Sequence, residues 1–422
     1  MPSEAATSDT HQQVSARAEE IRAAAGTLFA SKGYAATTMN DIGKAAGILP
    51  GSVYHHFAAK EAIAIELSEA FHAALLEVAL QSRRPERMAL PPEERLHQLV
   101  TDVASVGRAH APALGLRVFE APTVGSERFH AAVNRRPAAL YKVWRVVIDE
   151  VGALAPDGAM DREMLAYALQ GLSVTPGSTA VDNRGVEQTS RTLCDLLLHG
   201  VVLDCPDNAT LDASAPLAAV KRVIARQVQP DFGDETRTEI ITAARHEFAR
   251  RGYDATTIRD IADAAGVRMG TLYRRIDSKA SIFAEIVDNY DDRLDTLLRT
   301  ALTTQAQSEA ETLDALAFGI AHAARQYKDE ARMMSLIWNR QQESQDSVRL
   351  YLARTQERLQ LLSNTLGAGQ EEDRIRKLAS PDVLAGYVRS IMWNAPRYER
   401  SSRRRIHSFI REHLLRGALT TR

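Results

Sequence analysis

Apolar residues recur at a spacing of three to four positions along most of the chain. Leu96, Leu99, Val100, Val103 and Val106 illustrate this spacing, which places them on one face of a helix. Alternation with a period of two is scarce, and valine and isoleucine do not cluster with turn signals as they do in sheets. The pattern therefore predicts an all-α protein.

The chain contains an internal repeat. Residues 20–60 align without a gap to residues 239–279, and 19 of the 41 aligned positions are identical. The identical positions include glycine, tyrosine and threonine as well as the alanine and glutamate that any two helices share by composition. We therefore interpret the two segments as a duplication. A stretch of helical periodicity follows each copy, so the pattern predicts two halves of similar layout.

Local signals within each copy predict two short helices joined by a tight turn. In the first copy Thr37 and Thr38 open a helix, and Asp41 stands three residues after Thr38, as in a capping box. Gly47 then permits a turn with positive φ, and a third helix begins near Pro50. Such a pair of helices is a helix-turn-helix, whose second helix can enter the major groove of DNA.

The second copy adds a local concentration of positive charge. Between residues 268 and 279 the chain carries Arg268, Arg274, Arg275 and Lys279 against a single acidic residue, Asp277. Clustered basic residues favour contact with phosphates even in a chain whose overall charge is near neutral. The alternative at this point is a three-helix module that uses the same packing only to hold a fold.

Two motifs carry a family resemblance. Residues 35–62 read AATTMNDIGKAAGILPGSVYHHFAAKEA, and residues 254–281 read DATTIRDIADAAGVRMGTLYRRIDSKAS. Both resemble the N-terminal domain of TetR-family transcriptional regulators. The departures are Leu49 and Arg268 where a serine usually opens the recognition helix, Ile276 in place of an aromatic residue, and Ala280 in place of an acidic one.

The resemblance implies roles for individual residues. The hydroxyls of Tyr54 and Tyr273 are expected to bind phosphate, and Lys60 and Lys279 are expected to contact the DNA backbone. Base reading falls to the start of each recognition helix, with Arg268 as the strongest candidate because arginine commonly binds guanine. The full set of expected DNA-binding residues is Thr37, Thr38, Pro50, Gly51, Ser52, Tyr54, His55, Lys60, Thr256, Thr257, Arg268, Met269, Gly270, Thr271, Tyr273, Arg274 and Lys279.

The resemblance also implies how the halves are arranged. Regulators of this family dimerise through their last two helices, which form a four-helix bundle. We therefore expect segments 161–174 and 185–200 to pair with segments 381–395 and 401–415 inside one chain. The chain would then be a monomer with pseudo-twofold symmetry that behaves as a covalent dimer. A homodimer of such chains remains an alternative.

These observations suggest the domain boundaries. The segment LDCPDNATLDASAP at residues 203–216 is the best linker candidate and precedes a short basic helix. The expected division is a disordered tail over 1–14, a first helix-turn-helix domain over 15–61, a first helical regulatory domain over 62–203, a linker with a short helix over 204–233, a second helix-turn-helix domain over 234–280 and a second regulatory domain over 281–422.

The composition of the chain and the motifs that it lacks exclude several classes of protein. The chain has 422 residues, 25% of them charged, a formal net charge of −2 and two cysteines, which is typical of a globular protein of a reducing compartment. The start of the chain is polar, no apolar run is long enough to span a bilayer, and no metal, nucleotide or catalytic motif stands out. We therefore expect a cytoplasmic, non-enzymatic protein without a cofactor.

The sequence-based hypothesis is a DNA-binding transcriptional regulator, in particular a repressor that a small apolar effector releases from its operator. One alternative is a helical small-molecule-binding or enzyme domain in which the helix-turn-helix is only scaffold. Another is an adaptor whose second unit, with Ile276 and Ala280, no longer contacts DNA. Neither the effector nor the operator can be named from the residues.

Overall fold

The structure, a computed structural model, describes residues 4–119, 125–156, 160–174, 185–227, 232–338, 346–395 and 401–420. These residues form helices and connecting turns, with one isolated antiparallel bridge between Val202 and Ile375. The predicted all-α class is confirmed. No helix among the described residues is both long and apolar enough to cross a bilayer.

Helices occupy three consecutive parts of the chain. The first half contains α1 (Glu4–Lys32), α2 (Met39–Ala45), α3 (Pro50–Tyr54), α4 (Lys60–Gln81), α5 (Pro85–Met88), α6 (Pro92–Ala109), α7 (Ala111–Phe119), α8 (Glu127–Val133), α9 (Ala138–Gly152), α10 (Arg162–Val174) and α11 (Gly185–His199). The connection contains α12 (Asn208–Ala213) and α13 (Ala215–Arg226). The second half contains α14 (Glu235–Arg251), α15 (Ile258–Ala264), α16 (Met269–Tyr273), α17 (Lys279–Thr303), α18 (Glu309–Gln326), α19 (Lys328–Trp338), α20 (Asp346–Glu371), α21 (Pro381–Asn394) and α22 (Arg403–Phe409), which continues as a π-helical segment, Ile410–Arg416.

The first helix is longer than the sequence suggested. It begins at Glu4, so the expected disordered tail over residues 1–14 is wrong for residues 4–14. This stretch is polar, but it contains no glycine or proline as far as Ala25 and is rich in alanine, glutamate and glutamine. These residues have high helix propensity, so the helix extends toward the N-terminus from the repeated unit.

Backbone hydrogen bonds join the two halves reciprocally. The Val201 N–H donates to the Leu414 carbonyl at 2.8 Å, and the Ala418 N–H donates to the Leu197 carbonyl at 3.4 Å. Adding 217 to 197 and 201 gives 414 and 418, so the two bonds are equivalent under exchange of the halves. A second such pair joins Val202 to Leu415 and Leu419 to Leu198. The predicted pseudo-twofold arrangement is therefore present within the chain.

Two glycines allow this close approach. Gly200 and Gly417 have φ values of 71° and 88°. A Cβ atom at Gly200 would lie 2.4 Å from the backbone of Arg416, and one at Gly417 would lie 2.2 Å from the backbone of His199. Only glycine fits at either position, because both the φ angle and the contact exclude a side chain.

Side chains complete the contact between the halves. The Arg405 guanidinium donates to both carboxylate oxygens of Asp161, at 2.7 and 2.8 Å. The fully buried His413 accepts a hydrogen bond at Nε2 from the Asp161 backbone N–H at 3.0 Å. Gly171 of α10 lies against the Asn394 side chain of α21. The four predicted bundle segments thus pair across the halves.

The connection between the halves is a packed part of the protein. Helix α13 lies against α17 and α18, with Leu217 and Val220 buried, and Leu211 of α12 is also buried. At its end the Tyr327 hydroxyl donates to Gln227 Oε1 at 2.8 Å. The predicted linker therefore contains two helices, and its apolar face belongs to the core of the second half.

Candidate nucleic-acid interface

Both repeated units open their second helix with a capping box. Thr38 Oγ1 accepts from the Asp41 N–H at 3.1 Å, and Asp41 Oδ2 accepts from the Thr38 N–H at 2.9 Å. Thr257 and Asp260 form the same pair at 3.1 and 2.8 Å. Hydrogen bonds from Thr257 hold the pKa of Asp260 below its usual range. The boxes expected from the sequence are confirmed, with aspartate in the glutamate position.

The turn between the two helices has the same shape in both units. Gly47 and Gly266 have φ values of 67° and 68°, and no atom lies within 4 Å of a Cβ built at either glycine. Backbone conformation, rather than crowding, therefore requires glycine here. The turn closes with hydrogen bonds from Ile48 to the Gly43 carbonyl and from Val267 to the Ala262 carbonyl, at 2.9 and 3.0 Å.

The recognition helices α3 and α16 present polar groups outward. Val53 and Leu272 are fully buried and anchor the two helices. Tyr54 and Tyr273 are 56% and 58% exposed, so these side chains are not wedged against the first helix. Gly51 and Gly270 have open space around them. Neither helix has a side-chain cap at its first residue.

Two of the expected contact residues face the interior instead. Thr37 and Thr256 are fully buried, and their hydroxyls donate to the carbonyls of Gly33 and Gly252 at 2.7 and 2.8 Å. Their expected contact with DNA through the side chain is therefore wrong. The sequence could not separate these threonines from their neighbours Thr38 and Thr257, because only the path of the turn decides which of the two points inward.

The expected role of Lys60 and Lys279 also needs correction. Lys60 Nζ donates to the carbonyls of Tyr34, Ala35 and Thr37 at 2.7, 3.1 and 2.8 Å, and it lies 4.5 Å from the centre of the Tyr34 ring. Lys279 donates in the same way to Tyr253 and Thr256, and burial lowers its pKa. Each ammonium group therefore clamps the turn after the first helix and does not point toward solvent.

The remaining expected residues differ in charge between the units. At the position of the exposed Leu49 in the first unit, the second unit carries the exposed Arg268. His55 corresponds to Arg274, whose guanidinium donates to Thr271 at 3.3 Å. Arg275 pairs with Asp234, the N-cap of α14. The surface of the second unit is therefore the more basic of the two.

One further basic side chain, which the sequence pattern did not single out, lies on this surface. Arg259 is exposed at the second position of α15, next to the capping Thr257, where free backbone N–H groups favour an anion. Its counterpart in the first unit is Asn40. The signal was an arginine at the start of a capped helix, and we propose Arg259 as an additional phosphate contact.

Comparison with known proteins agrees with this geometry. The sequence model described as "Bacterial regulatory proteins, tetR family" matches residues 21–67 and again residues 240–286. The HTH-type transcriptional repressor KstR2 of Rhodococcus jostii (strain RHA1) is 34% identical over 172 residues, which are 39% of this chain and 79% of that protein. The chain belongs to the TetR family. Its two matches make it a tandem TetR-family protein.

Two further comparisons concern KstR2 of Mycobacterium tuberculosis. KstR2 of Mycobacterium tuberculosis (strain CDC 1551 / Oshkosh) is 32% identical over 171 residues, 39% of this chain and 81% of that protein. The solved structure of the ketosteroid transcriptional regulator KstR2 of Mycobacterium tuberculosis covers 41% of this chain and 84% of that chain, with 26% identity and a TM-score of 0.35. As a TetR-family protein, this chain is a DNA-binding transcriptional regulator.

Proposed function

We propose that this TetR-family chain is a repressor that binds one asymmetric operator with both of its recognition helices and is released by a small, mostly apolar effector. The observation that carries the proposal is the reciprocal backbone pairing around Gly200 and Gly417. It joins two complete DNA-binding units within one chain, as two subunits are joined in a dimer. The KstR2 relatives are named as repressors, which supports repression rather than activation.

The two recognition helices favour unlike half-sites. The first offers the 76% exposed Leu49 together with Pro50, Gly51 and Ser52, a surface suited to thymine methyl groups and close backbone approach. The second offers Arg268, which can bind O6 and N7 of guanine with two hydrogen bonds, beside Met269, Gly270 and Thr271. A homodimer carries identical helices and reads a palindrome, whereas this chain would not.

The proposed phosphate contacts surround these helices on both units. In this assignment Thr38, Tyr54 and His55 bind the DNA backbone at the first half-site. Their counterparts in the second unit bind the DNA backbone at the second half-site. The counterparts are Thr257, Tyr273, Arg274 and the additional Arg259. Such contacts add affinity and salt dependence without selecting a sequence.

Selection of bound sites from random DNA, followed by affinity measurements on the selected site, tests this assignment. We expect two unlike half-sites bound by one chain. Arg268→Ala should weaken binding by about 5- to 150-fold, the equivalent of roughly 1–3 kcal/mol, and relax base preference in one half-site only. Arg145→Ala, at an exposed arginine of α9, is the matched control. A palindromic site, or relaxed preference in both half-sites, would show that two chains share the operator.

We expect an effector to enter at a small cavity in the second half. It has a volume of about 40 Å³ and lies between α17, α18, α20 and α21. Its walls are mostly apolar, with Leu294, Leu298, Ile320, Leu362 and Trp393 among them. Ordinary ligand sites enclose roughly 300–1,000 Å³, so a ligand here would have to part these helices. Because α17 begins at Lys279, its displacement would pull on the clamped turn of the second DNA-binding unit.

Linkage gives a direct test of this part of the proposal. A ligand that lowers DNA affinity must itself bind more weakly in the presence of operator DNA, by the same factor of about 5 to 150 in typical couplings. Titration of the ligand into the chain with and without operator measures this factor. Equal ligand affinities under the two conditions would contradict release by an effector.

A further inference from the structure

An exposed apolar face runs along the C-terminal part of α4, away from the recognition helices. Its central residues are Leu76 and Leu80, which are 45% and 54% exposed, and the exposed Ala73 precedes them. These three residues recur at intervals of three and four positions, so they lie on one side of the helix. Phe71 and Val78, which hold α4 in the core, lie on the opposite side. We call the three exposed residues the α4 stripe.

The second half carries charges on the equivalent face. The displacement of 219 residues that relates the two repeated units places Asp295 and Arg299 of α17 at the positions of the two leucines. Arg299 donates to Glu357 of α20 at 3.0 Å, and Asp295 accepts from Arg358 of α20 at 2.8 Å. In the second half, ion pairs with a neighbouring helix therefore occupy this face.

The first half has lost both sides of this contact. Helices α9 and α20 end at Gly152 and Glu371, and these ends are also 219 residues apart. The same displacement puts Ala138 and Ala139 at the positions of the two α20 residues that form the ion pairs. Alanine cannot form an ion pair, and the leucines of α4 are left exposed. Neighbouring exposed leucines on one helix face form the kind of apolar patch that marks protein contacts.

Opposite charges stand at the two ends of the α4 stripe. Glu69 precedes Ala73 by one helical turn, and Arg83 follows Leu80 just after the helix ends. Both charged side chains are exposed. Positions 69, 73, 76, 80 and 83 together follow the alternating spacing of three and four residues that is typical of a coiled-coil seam. The acidic end and the basic end each lie seven residues from Leu76.

We propose that the α4 stripe is a self-association surface whose partner is the α4 stripe of a second copy of this chain in antiparallel orientation. Two antiparallel helices that cross at Leu76 bring Glu69 of each copy to Arg83 of the other and join the leucines at the centre. A parallel pairing would place like charges opposite each other. Charge complementarity therefore selects the antiparallel arrangement. The same patch is used on both copies, as in other twofold interfaces.

The extent of the stripe predicts a weak dimer. Stable interfaces bury roughly 800 Å² on each partner, whereas the α4 stripe is one face of a single helix. We therefore expect a dissociation constant in the micromolar range, roughly 10–100 µM. The bundle that joins the two halves within each chain is not involved, so each copy keeps its own pair of DNA-binding units.

Antiparallel pairing would place the DNA-binding units of the two copies on opposite sides of the contact. Helix α4 begins at Lys60, at the end of the first DNA-binding unit, and Leu76 lies about 24 Å further along the helix axis at 1.5 Å per residue. The recognition helices are therefore left free and face away from each other. The dimer would hold two separate DNA segments. This consequence rests on the proposed operator binding by each chain, whereas the association itself does not.

Sedimentation velocity of the full, DNA-free chain tests the association. Between about 1 and 200 µM, a range that spans the expected Kd, we expect a shift from the 46.4 kDa monomer toward twice that mass. Leu80→Glu should weaken the association by about 10-fold or more, and its Tm should stay unchanged because Leu80 is exposed. Leu350→Glu, at an exposed leucine of α20, is the matched control. A monomer at the highest concentration, or association that Leu80→Glu does not weaken, would overturn the proposal.

Reversal of charge tests the antiparallel orientation. Glu69→Arg and Arg83→Glu should each weaken the dimer by about 3- to 10-fold, because each substitution turns two symmetric attractions into repulsions. The variant with both substitutions should recover most of the lost affinity, since opposite charges meet again. A double variant at least as weak as either single variant would contradict the antiparallel pairing.

Capture of a second DNA molecule tests the opposed DNA-binding units. The site selected from random DNA is fixed to beads and loaded with the chain, and a labelled copy of the same site, also loaded with the chain, is added. We expect the beads to retain the label. Leu80→Glu should still bind the fixed DNA and should retain no label. Dimers that bind the fixed DNA without retaining the label would contradict the antiparallel arrangement. A chain that binds no DNA would contradict the proposed function, while sedimentation still decides the association.

Discussion

The two DNA-binding units have matching backbones but are joined differently to the rest of the chain. The first packs around its own apolar cluster, which includes Ile42, Val53 and Phe57 and extends to the start of α4 and to a few residues of α7 and α8. The core of the second, with Ile261 and Leu272, is continuous with the large core that runs through both halves. The first unit is therefore the more separate of the two.

Polar contacts of the first helix of each unit differ in the same way. Helix α14 of the second unit is tied to α19 by an ion pair from Arg245 to Glu330 at 3.1 Å and by a hydrogen bond from Arg332 to the Ala249 carbonyl at 3.0 Å. The equivalent helices α1 and α7 meet at Gly26 and Pro112. The duplication therefore kept the residues that shape each unit, whereas the attachments and the exposed faces changed.

The largest expected effect tests the symmetry between the halves. Gly200→Ala and Gly417→Ala should each destabilise the chain by about 3 kcal/mol or more, because a Cβ atom would clash with the opposite backbone and the positive φ would be strained. Urea unfolding measures both changes. Gly270→Ala, in open space on α16, should change stability by less than about 1 kcal/mol. Clearly unequal losses at Gly200 and Gly417 would show that the halves do not support each other reciprocally.

A smaller effect concerns a histidine at the interface that only the second half carries. Burial lowers the pKa of His413 to about 4, and an unfolded chain would restore the usual value near 6.5. The unfolded state then binds the additional proton, so the stability that His413 contributes is present above pH 6.5 and is lost as pH falls toward 4, by up to about 3 kcal/mol. Protonation would also break the hydrogen bond that Nε2 accepts from the Asp161 N–H.

The first half has Leu196 at the equivalent position, since 413 minus 217 equals 196. His413→Leu should therefore flatten the loss of stability between pH 6.5 and 4, which urea unfolding at a series of pH values can follow. An unchanged pH profile in this variant would assign the acid sensitivity to other groups.

The smallest expected effect tests the equivalence of the two lysine clamps. Lys60→Met and Lys279→Met should each cost about 1–3 kcal/mol, because carbonyl groups that accept from the ammonium lose their donor. Both variants should weaken DNA binding by loosening the unit. The slope of affinity against salt should stay unchanged, because no phosphate contact is removed. Lys44→Met, at an exposed lysine of α2, is the control for stability. A flatter dependence of DNA affinity on salt in the Lys60→Met and Lys279→Met variants would show that these lysines contact DNA directly.

Local signals in the sequence determined much of this structure. The duplication, the capping boxes at Thr38 and Thr257 and the glycine turns depend on residues a few positions apart, and the structure agrees with each of them. The resemblance to the TetR family implied the four bundle segments, because regulators of this family dimerise through their last two helices. The same resemblance implied the base-reading residues, and their contact with DNA remains a prediction.

Only the tertiary structure decided which side chains turn inward. Lys60 and Thr37 carry polar groups that solvent or DNA could equally satisfy, and they face the interior because the turn after α1 brings carbonyl groups within their reach. The sequence predicted a short helix within the linker, and only the structure shows that this helix, α13, packs against α17 and α18. Such contacts depend on how whole helices pack, which a short window of sequence does not contain.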